Sequence, residues 1–270
     1  MCLWDAETLR EIELGATEVG RATYGYIPKH SVYFYEEKLR YTLPQLTRGA
    51  GPERWDDAAV AHEKVDRHDD ALRVIDDKDR RFPGLYTTAA NRGTFLARAG
   101  RLDDGIAELE RAVAIEPDAH FGREHVQLGL YRYLRRAAGD PSLLAREDFL
   151  GTSLDDPPRG GTVADDTTRA IVGMMIFGAG DRSPHLWLGL GLALAAERAG
   201  TDLGLRALRR AEHFGHPHAR ATALRLDPGY LDSIESYDRD FADEQAEVAA
   251  VAAAEDARLR DGRYAEVYGY

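Results

Sequence analysis

Apolar residues recur every three to four positions through most of the chain, which is the spacing of one face of an α-helix. Ile106, Leu109, Ala112 and Val113 follow this spacing. Continuous runs of β-branched residues, which are typical of buried strands, are missing. Alanine, leucine, arginine and glutamate, all good helix formers, are abundant. The pattern therefore predicts an all-α protein with almost no sheet.

The ends of the predicted helices are marked by glycine, acidic residues and proline. Gly100 ends one helix, because glycine readily adopts the left-handed backbone that closes many helices. Asp103 and Asp104 lie at the start of the next helix, where acidic side chains interact favourably with the positive end of the helix dipole. Pro117 ends that helix, since proline cannot donate the next helical hydrogen bond. Residues 86–119 are thus predicted to form a helical hairpin.

The same pattern occurs in the 34 residues before this hairpin. When residues 52–85 are aligned with residues 86–119, charged, small, apolar and proline positions coincide. The coinciding pairs are Arg67 with Arg101, Asp69 with Asp103, Asp70 with Asp104, Pro83 with Pro117, Ala59 with Gly93, Ala71 with Gly105 and Ile75 with Leu109. A fixed period of this length predicts stacked hairpins. The small residues Gly93 and Gly105 indicate where two helices cross closely.

These two windows resemble the tetratricopeptide repeat (TPR) family, which has an early aromatic residue, a Leu-Gly pair, an alanine in the second helix and a late proline. The matching residues are Trp55 in the first window and Gly93, Leu109, Ala112 and Pro117 in the second. The departures are Ala89 for the aromatic residue, Arg92 for the leucine and Lys78 for the second alanine. A diverged third unit contains Trp187-Leu188-Gly189, followed by Gly200, Gly204, Leu208, Ala211 and Pro217.

The resemblance implies an all-α, TPR-like helical-hairpin solenoid with capping helices. We expect six consecutive segments. They are a capping segment (1–51), two repeats (52–119, as 52–85 and 86–119), atypical repeat helices (120–150), a flexible loop (151–166), a diverged hairpin with a preceding helix (167–219) and a C-terminal capping helix with a tail (220–270). The long capping helix is predicted over 234–260, and Ser31 is predicted to cap an earlier helix.

If the chain binds a peptide, the resemblance implies that first-helix residues of successive hairpins line a concave groove. Carried over position by position, these are Asp56, Val60, Glu63 and Lys64 from the first window and Ala90, Asn91, Thr94, Ala97 and Arg98 from the second. Asn91 matches a family position at which asparagine bonds the backbone of a bound peptide, and the alternative is that it bonds locally. Asp56 and Glu63 oppose the groove cations, so a clamp for a C-terminal carboxylate is disfavoured.

Composition narrows the choice of partners. The formal net charge of the 270 residues is −12 and the pI is about 5.2, so an acidic surface would repel phosphate backbones and nucleic acid is not expected as a partner. No apolar run reaches the length of a membrane span. Cys2 is the single cysteine, which excludes an intrachain disulfide.

The opening Met1-Cys2-Leu3-Trp4-Asp5 resembles the start of a group of bacterial TPR proteins in which Cys-Leu-Trp-Asp follows an export signal. The resemblance extends over residues 85–124, which end in His120-Phe121-Gly122-Arg123-Glu124. It implies an exported or periplasmic protein if Met1 replaces a removed leader, and a cytoplasmic protein if Met1 is native. The group has no assigned activity.

Candidate catalytic and metal-binding residues are few. His213, His216 and His218 lie close together, and such clusters can hold a metal ion. However, they surround Pro217 at a repeat boundary without a paired carboxylate pattern, so an ordinary polar turn is favoured. The sequence also lacks a serine in a nucleophile elbow and a glycine-rich run with the lysine of a phosphate loop. We therefore expect no catalytic residue, no metal and no cofactor.

These observations predict a non-catalytic adaptor or assembly scaffold that binds a protein or peptide partner on its concave surface. The alternative is a metal-binding or catalytic accessory protein that uses the His213–His218 turn. A third interpretation is self-association through the open end of the solenoid or through the helix predicted over 234–260.

Overall fold

The structure is a computed structural model that describes Leu3, Asp5 and residues 16–117, 119–158, 165–178, 180–197, 200–263 and 267. The helices are, in order, α1 (Ala16–Tyr24), α2 (Val32–Leu46), α3 (Pro52–Lys64), α4 (His68–Arg81), α5 (Tyr86–Arg98), α6 (Leu102–Ile115), a 3-10 helix (Ala119–Gly122), α7 (Arg123–Gly139), α8 (Leu143–Arg146), α9 (Asp165–Ile176), α10 (Pro184–Ala196), α11 (Thr201–His213), α12 (Ala219–Leu226) and α13 (Tyr230–Arg260). Outside these helices, Glu147 and Ser153 form an isolated antiparallel bridge, and none of the described residues lies in a strand. The predicted all-α fold class is confirmed.

The chain forms two compact units. Among the described residues, the Pro28–Ala119 unit also contains Leu3, Asp5 and residues 248–263 and 267. The His120–Glu247 unit also contains residues 16–27. The residues predicted as one capping segment, 1–51, are therefore divided between the two units. The long helix α13 likewise contributes residues to both.

In the Pro28–Ala119 unit, consecutive helices from α2 to α6 pack on one another, and α3 also packs on α5. This order follows from the apolar stripe of each helix, which must be buried against a neighbour. One buried cluster contains Val60 of α3, Ile75 of α4 and Phe95 of α5. Both predicted repeats thus form helical hairpins, α3 with α4 and α5 with α6.

Local features of this unit agree with the sequence pattern. Phe34 N donates a hydrogen bond to Ser31 Oγ at 3.0 Å, which confirms Ser31 as the N-cap of α2. Gly100 has a φ of +81°, the left-handed conformation expected after α5. At the crossing of α5 and α6, a Cβ atom on Gly93 would lie 3.0 Å from the Gly105 carbonyl oxygen. The close crossing predicted at these two glycines is confirmed.

In the His120–Glu247 unit, the most extensive packing is between α10 and α11. A Cβ atom on Gly191 would lie 3.0 Å from the Gly204 carbonyl oxygen, so this hairpin also crosses at two glycines. The side chain of Trp187 is fully buried, and its Nε1 donates to the Asp181 carbonyl oxygen at 2.5 Å. Helix α9 packs on α10, α12 and the short α1 pack on α11, and α7 packs on α9.

The remaining connections differ in how far the structure describes them. Helix α8, which follows α7, is only four residues long. Residues 151–158 of the predicted flexible loop are non-helical, residues 159–164 lie outside the described part, and α9 begins at Asp165. The start of the predicted capping segment, residues 1–15 apart from Leu3 and Asp5, and the tail after Arg263, apart from residue 267, also lie outside it. Among the described helices, none is sufficiently long and apolar to cross a membrane.

Candidate functional site

The nine predicted groove residues lie on two helices that pack on each other, α3 and α5. We call them the α3–α5 face. The face consists of Asp56, Val60, Glu63 and Lys64 on α3 and Ala90, Asn91, Thr94, Ala97 and Arg98 on α5. The structure therefore brings the two predicted sets together in the Pro28–Ala119 unit.

Most of this face is buried within the chain. Asp56, Val60, Glu63, Ala90, Asn91 and Thr94 are each no more than 5 % exposed. Lys64, Ala97 and Arg98 are partly exposed. The face is thus covered by other parts of the same chain, rather than open along its length.

A buried polar network occupies one end of the face, around Asp56. Lys78 Nζ, from α4, donates to both carboxylate oxygens of Asp56 at 2.6 Å. Thr87 Oγ1 and Asn91 Nδ2 donate to the same carboxylate at 3.0 Å. Burial raises the pKa of the Asp56 carboxyl to about 6, against the opposing effect of Lys78. The Asn91 amide thus bonds a carboxylate of the same chain that lies 35 positions earlier, on α3.

The departure of Lys78 from the repeat pattern has a structural reason. In the pattern this position holds a small alanine, whereas Lys78 is fully buried and extends to Asp56 on the preceding helix. Its Nζ also donates to Thr87 Oγ1 at 2.8 Å. Burial lowers the pKa of the Lys78 ammonium, against the raising effect of Asp56. The lysine thus links α3, α4 and α5 through one carboxylate.

A second charged group lies around Glu63, which is fully buried. His68 Nδ1 lies 2.9 Å from Glu63 Oε2, and the Arg98 guanidinium forms an ion pair with the same carboxylate. Burial raises the pKa of the Glu63 carboxyl, against the opposing effects of His68 and Arg98. Arg98 is therefore committed to the chain's own carboxylate.

Two N-terminal residues that the sequence did not indicate lie on this part of the molecule. Leu3 is 1 % exposed and belongs to the buried cluster of Val60, Ile75 and Phe95. Asp5 is 5 % exposed and accepts a hydrogen bond from Lys38 Nζ at 3.1 Å. The chain itself thus supplies an apolar side chain to the cluster around Val60 and a carboxylate to Lys38 on the neighbouring helix α2.

Lys38 connects Asp5 to helix α3. Lys38 is 1 % exposed, and its Nζ lies 3.7 Å from Asp57 Oδ1. Asp57 Oδ2 in turn accepts from Arg54 NH1 at 2.9 Å. The sequence carried a signal for this site, since Lys38 follows Phe34 by four positions and so shares its helix face, and a lysine on an apolar stripe indicates a buried ion pair.

The three histidines of the predicted turn differ in exposure. His213 is exposed, His216 is 3 % exposed and His218 is partly buried. The rings of His216 and His218 are 6.3 Å apart, and His216 lies 5.3 Å from His185, a neighbour that the sequence did not indicate. Burial lowers the pKa of His216 to about 4. Within the described residues, no three His, Cys, Asp or Glu side chains are grouped to hold a metal ion.

A surface pocket of about 310 Å³ lies between α4, α5 and α6. Its charged lining includes Asp76, Arg92 and Glu108. Arg92 forms ion pairs with Asp76 at 3.1 Å and with Asp79 at 3.0 Å, and it lies 3.7 Å from Glu108. The positive charge of Arg92 is thus compensated by carboxylates of the same chain. The charged lining has both signs, so it does not favour a ligand of one particular charge.

Comparison with known proteins adds no assignment. No protein-family model matches this chain, and no curated protein matches it.

Proposed function

We propose that this protein is a non-catalytic, TPR-like adaptor that holds a peptide segment of a partner protein on the α3–α5 face. The observation that carries the proposal is the burial of Leu3 against Val60 of that face and of Asp5 against Lys38 of the adjoining helix α2. A surface that takes up an apolar side chain and a carboxylate from its own chain has the chemistry to take up the same groups from another.

The charges of the face support a binding role over a catalytic one. Asp56 is bound by Lys78, and Glu63 by Arg98 and His68. Carboxylates held in this way position helices, whereas acid–base catalysis requires a group that can exchange its proton with a substrate. The net charge of −12 disfavours nucleic acid as the partner.

A peptide-display selection tests the proposal. Random peptides selected on the full chain are expected to bind about tenfold more weakly to Lys64→Glu, since reversing a charge at the partly exposed edge of the face penalises an adjacent ligand. The matched control is Lys29→Glu, the same change at an exposed lysine between α1 and α2. Failure to enrich any peptide, or an equal loss with both variants, would contradict the proposal.

A further inference from the structure

The contacts of Leu3 and Asp5 define two neighbouring subsites. The apolar subsite is the cluster that contains Val60, Ile75 and Phe95, in which Leu3 is buried. The polar subsite is Lys38 Nζ, which lies between the carboxylates of Asp5 and Asp57 at 3.1 and 3.7 Å. Asp57 and Val60 are three residues apart on α3, so they are neighbours on the helix surface. One short segment therefore reaches both subsites.

An extended segment of a ligand can reach both subsites. Residues that are two apart on an extended chain point to the same side and are separated by about 6.6 Å. Neighbours three or four apart on a helix have Cβ atoms separated by about 5–6 Å. An apolar residue followed two positions later by an acid can thus contact both subsites at once.

The polar subsite selects a carboxylate. Lys38 is 1 % exposed, and the Asp57 carboxylate, which lies 3.7 Å from its Nζ, also forms an ion pair with Arg54. Withdrawal of Asp5 would leave a buried ammonium with weaker compensation, and a buried charge is unfavourable unless it is paired. A segment that replaces Asp5 is therefore favoured when it brings its own carboxylate.

We propose that Leu3 and Asp5 occupy, within their own chain, a binding site for a partner protein. The partner binds there through an extended segment that carries an apolar side chain and, two residues later, a carboxylate. This inference rests on the proposed function and specifies its ligand. The N-terminal segment acts as an intramolecular competitor, because attachment to the same chain gives it a high effective concentration. The partner binds only to the fraction of molecules in which the segment has left, and its apparent affinity falls by that fraction.

A direct binding experiment uses the chain's own segment as the probe. The probe is a fluorescein-labelled peptide with the sequence of residues 2–13 and the change Cys2→Ser. It is titrated by fluorescence anisotropy into the full-length chain and into the full-length double variant Leu3→Ser, Asp5→Asn, after circular dichroism shows that the variant is folded. We expect the probe to bind the double variant at least about tenfold more tightly, because its site is no longer occupied in cis.

Control probes test the two side chains separately. A probe with Leu3→Ser and a probe with Asp5→Asn are each expected to lose at least about tenfold in affinity for the double variant. Equal binding of the unmodified probe to both proteins, or equal binding of the modified probes, would overturn the inference. So would an increase in mass with concentration in light scattering that the native chain shows and the double variant lacks, since Leu3 and Asp5 would then bind a second copy.

A labelling experiment keeps the inference testable if the double variant does not fold. Leu3→Cys and Ile75→Cys, each combined with Cys2→Ser, place a thiol at two buried positions of the same cluster. A displaceable segment opens locally without unfolding the hairpins, so the thiol at position 3 is expected to react with Ellman's reagent at least about tenfold faster than the thiol at position 75. Equal rates would make Leu3 part of the cooperative core and would overturn the inference.

The outcomes also separate this inference from the proposed function. Display peptides that lose affinity with Lys64→Glu but lack the apolar–acid pair would overturn the inference and leave the proposed function standing. The absence of binding by every displayed peptide and by the probe would overturn both.

Discussion

Gly93 and Gly105 face each other where α5 crosses α6, and a Cβ atom on Gly105 would lie 2.8 Å from the Gly93 carbonyl oxygen. A backbone atom cannot move aside as a side chain can, so the helices would have to separate. We expect Gly105→Ala to lower the free energy of unfolding by about 1–3 kcal/mol, despite the better helix propensity of alanine. Urea denaturation of the native chain and of the variant measures this change in the free energy of unfolding.

Gly139→Ala is the matched control for this prediction. Gly139 ends helix α7, and a Cβ atom there would meet nothing within 4 Å. The substitution is expected to be neutral or slightly stabilising, because the higher helix propensity of alanine is not opposed by a steric clash. If both variants unfold at the same urea concentration, the crossing does not require a glycine.

Removal of Lys78 should be costly, because it leaves the buried Asp56 carboxylate without its cation. We expect Lys78→Met to lower the free energy of unfolding by about 3–5 kcal/mol, and the double variant Asp56→Asn, Lys78→Met to lose less than the sum of the two single changes. Chemical denaturation of the native chain, the two single variants and the double variant gives the coupling free energy between Asp56 and Lys78.

The exposed ion pair of Arg73 and Asp70 provides the comparison. Arg73→Gln is expected to change the free energy of unfolding by no more than about 0.5 kcal/mol, since exposed pairs contribute little. Additive effects in the Asp56–Lys78 cycle would show that the buried pair is not coupled.

Acid should weaken the fold through His216. Burial lowers the pKa of this histidine from its ordinary value of 6.5 to about 4. Because the folded value lies below the unfolded one, the stabilising contribution of the neutral ring is complete above pH 6.5 and is lost as the pH falls through about 4. We expect the native chain to lose about 2–3 kcal/mol relative to His216→Gln across this range.

The measurement is thermal or urea unfolding of both proteins at several pH values. His213→Gln, at an exposed histidine of the same turn, is the reference for loss of a histidine without loss of a buried ring. A constant difference between the native chain and His216→Gln from pH 7.5 to pH 4 would contradict the prediction.

Asp148 should have the opposite dependence. Its carboxylate accepts backbone hydrogen bonds from Leu150 at 3.0 Å and Thr152 at 2.7 Å, and burial raises its pKa from 3.8 to about 6. Because the folded value lies above the unfolded one, its contribution to stability is complete below pH 3.8 and is lost as the pH rises through about 6. We expect Asp148→Asn to be more stable than the native chain at pH 8, by about 1–3 kcal/mol, and equal to it below pH 3.8.

Asp140→Asn serves as a control of opposite sign. A hydrogen bond from Ser142 lowers the pKa of this exposed carboxyl, so its charged form favours the folded state at neutral pH. That variant is expected to be less stable at pH 8. A loss of stability at pH 8 in Asp148→Asn as well would show that the amide cannot replace the carboxylate in its turn.

Some features of the α3–α5 face were predictable and others were not. The period of 34 residues placed the nine face residues on α3 and α5, because equivalent positions of successive hairpins lie side by side. Their exposure did not follow from the period. Leu3 is far from Val60 in the sequence, and no local pattern indicates that it is buried in the same cluster.

The sequence by itself determined the helices, their caps and the close crossings, because these depend on residues a few positions apart. Ser31 caps α2, Gly100 ends α5, and Gly93 and Gly105 allow α5 and α6 to approach, each as its neighbours in the chain predict. Only the tertiary structure decided that Lys78 binds Asp56, that His185 lies beside His216 and that Asp5 reaches Lys38. Those pairs are set by the burial of charged and polar groups, which must find a partner wherever the packed helices supply one.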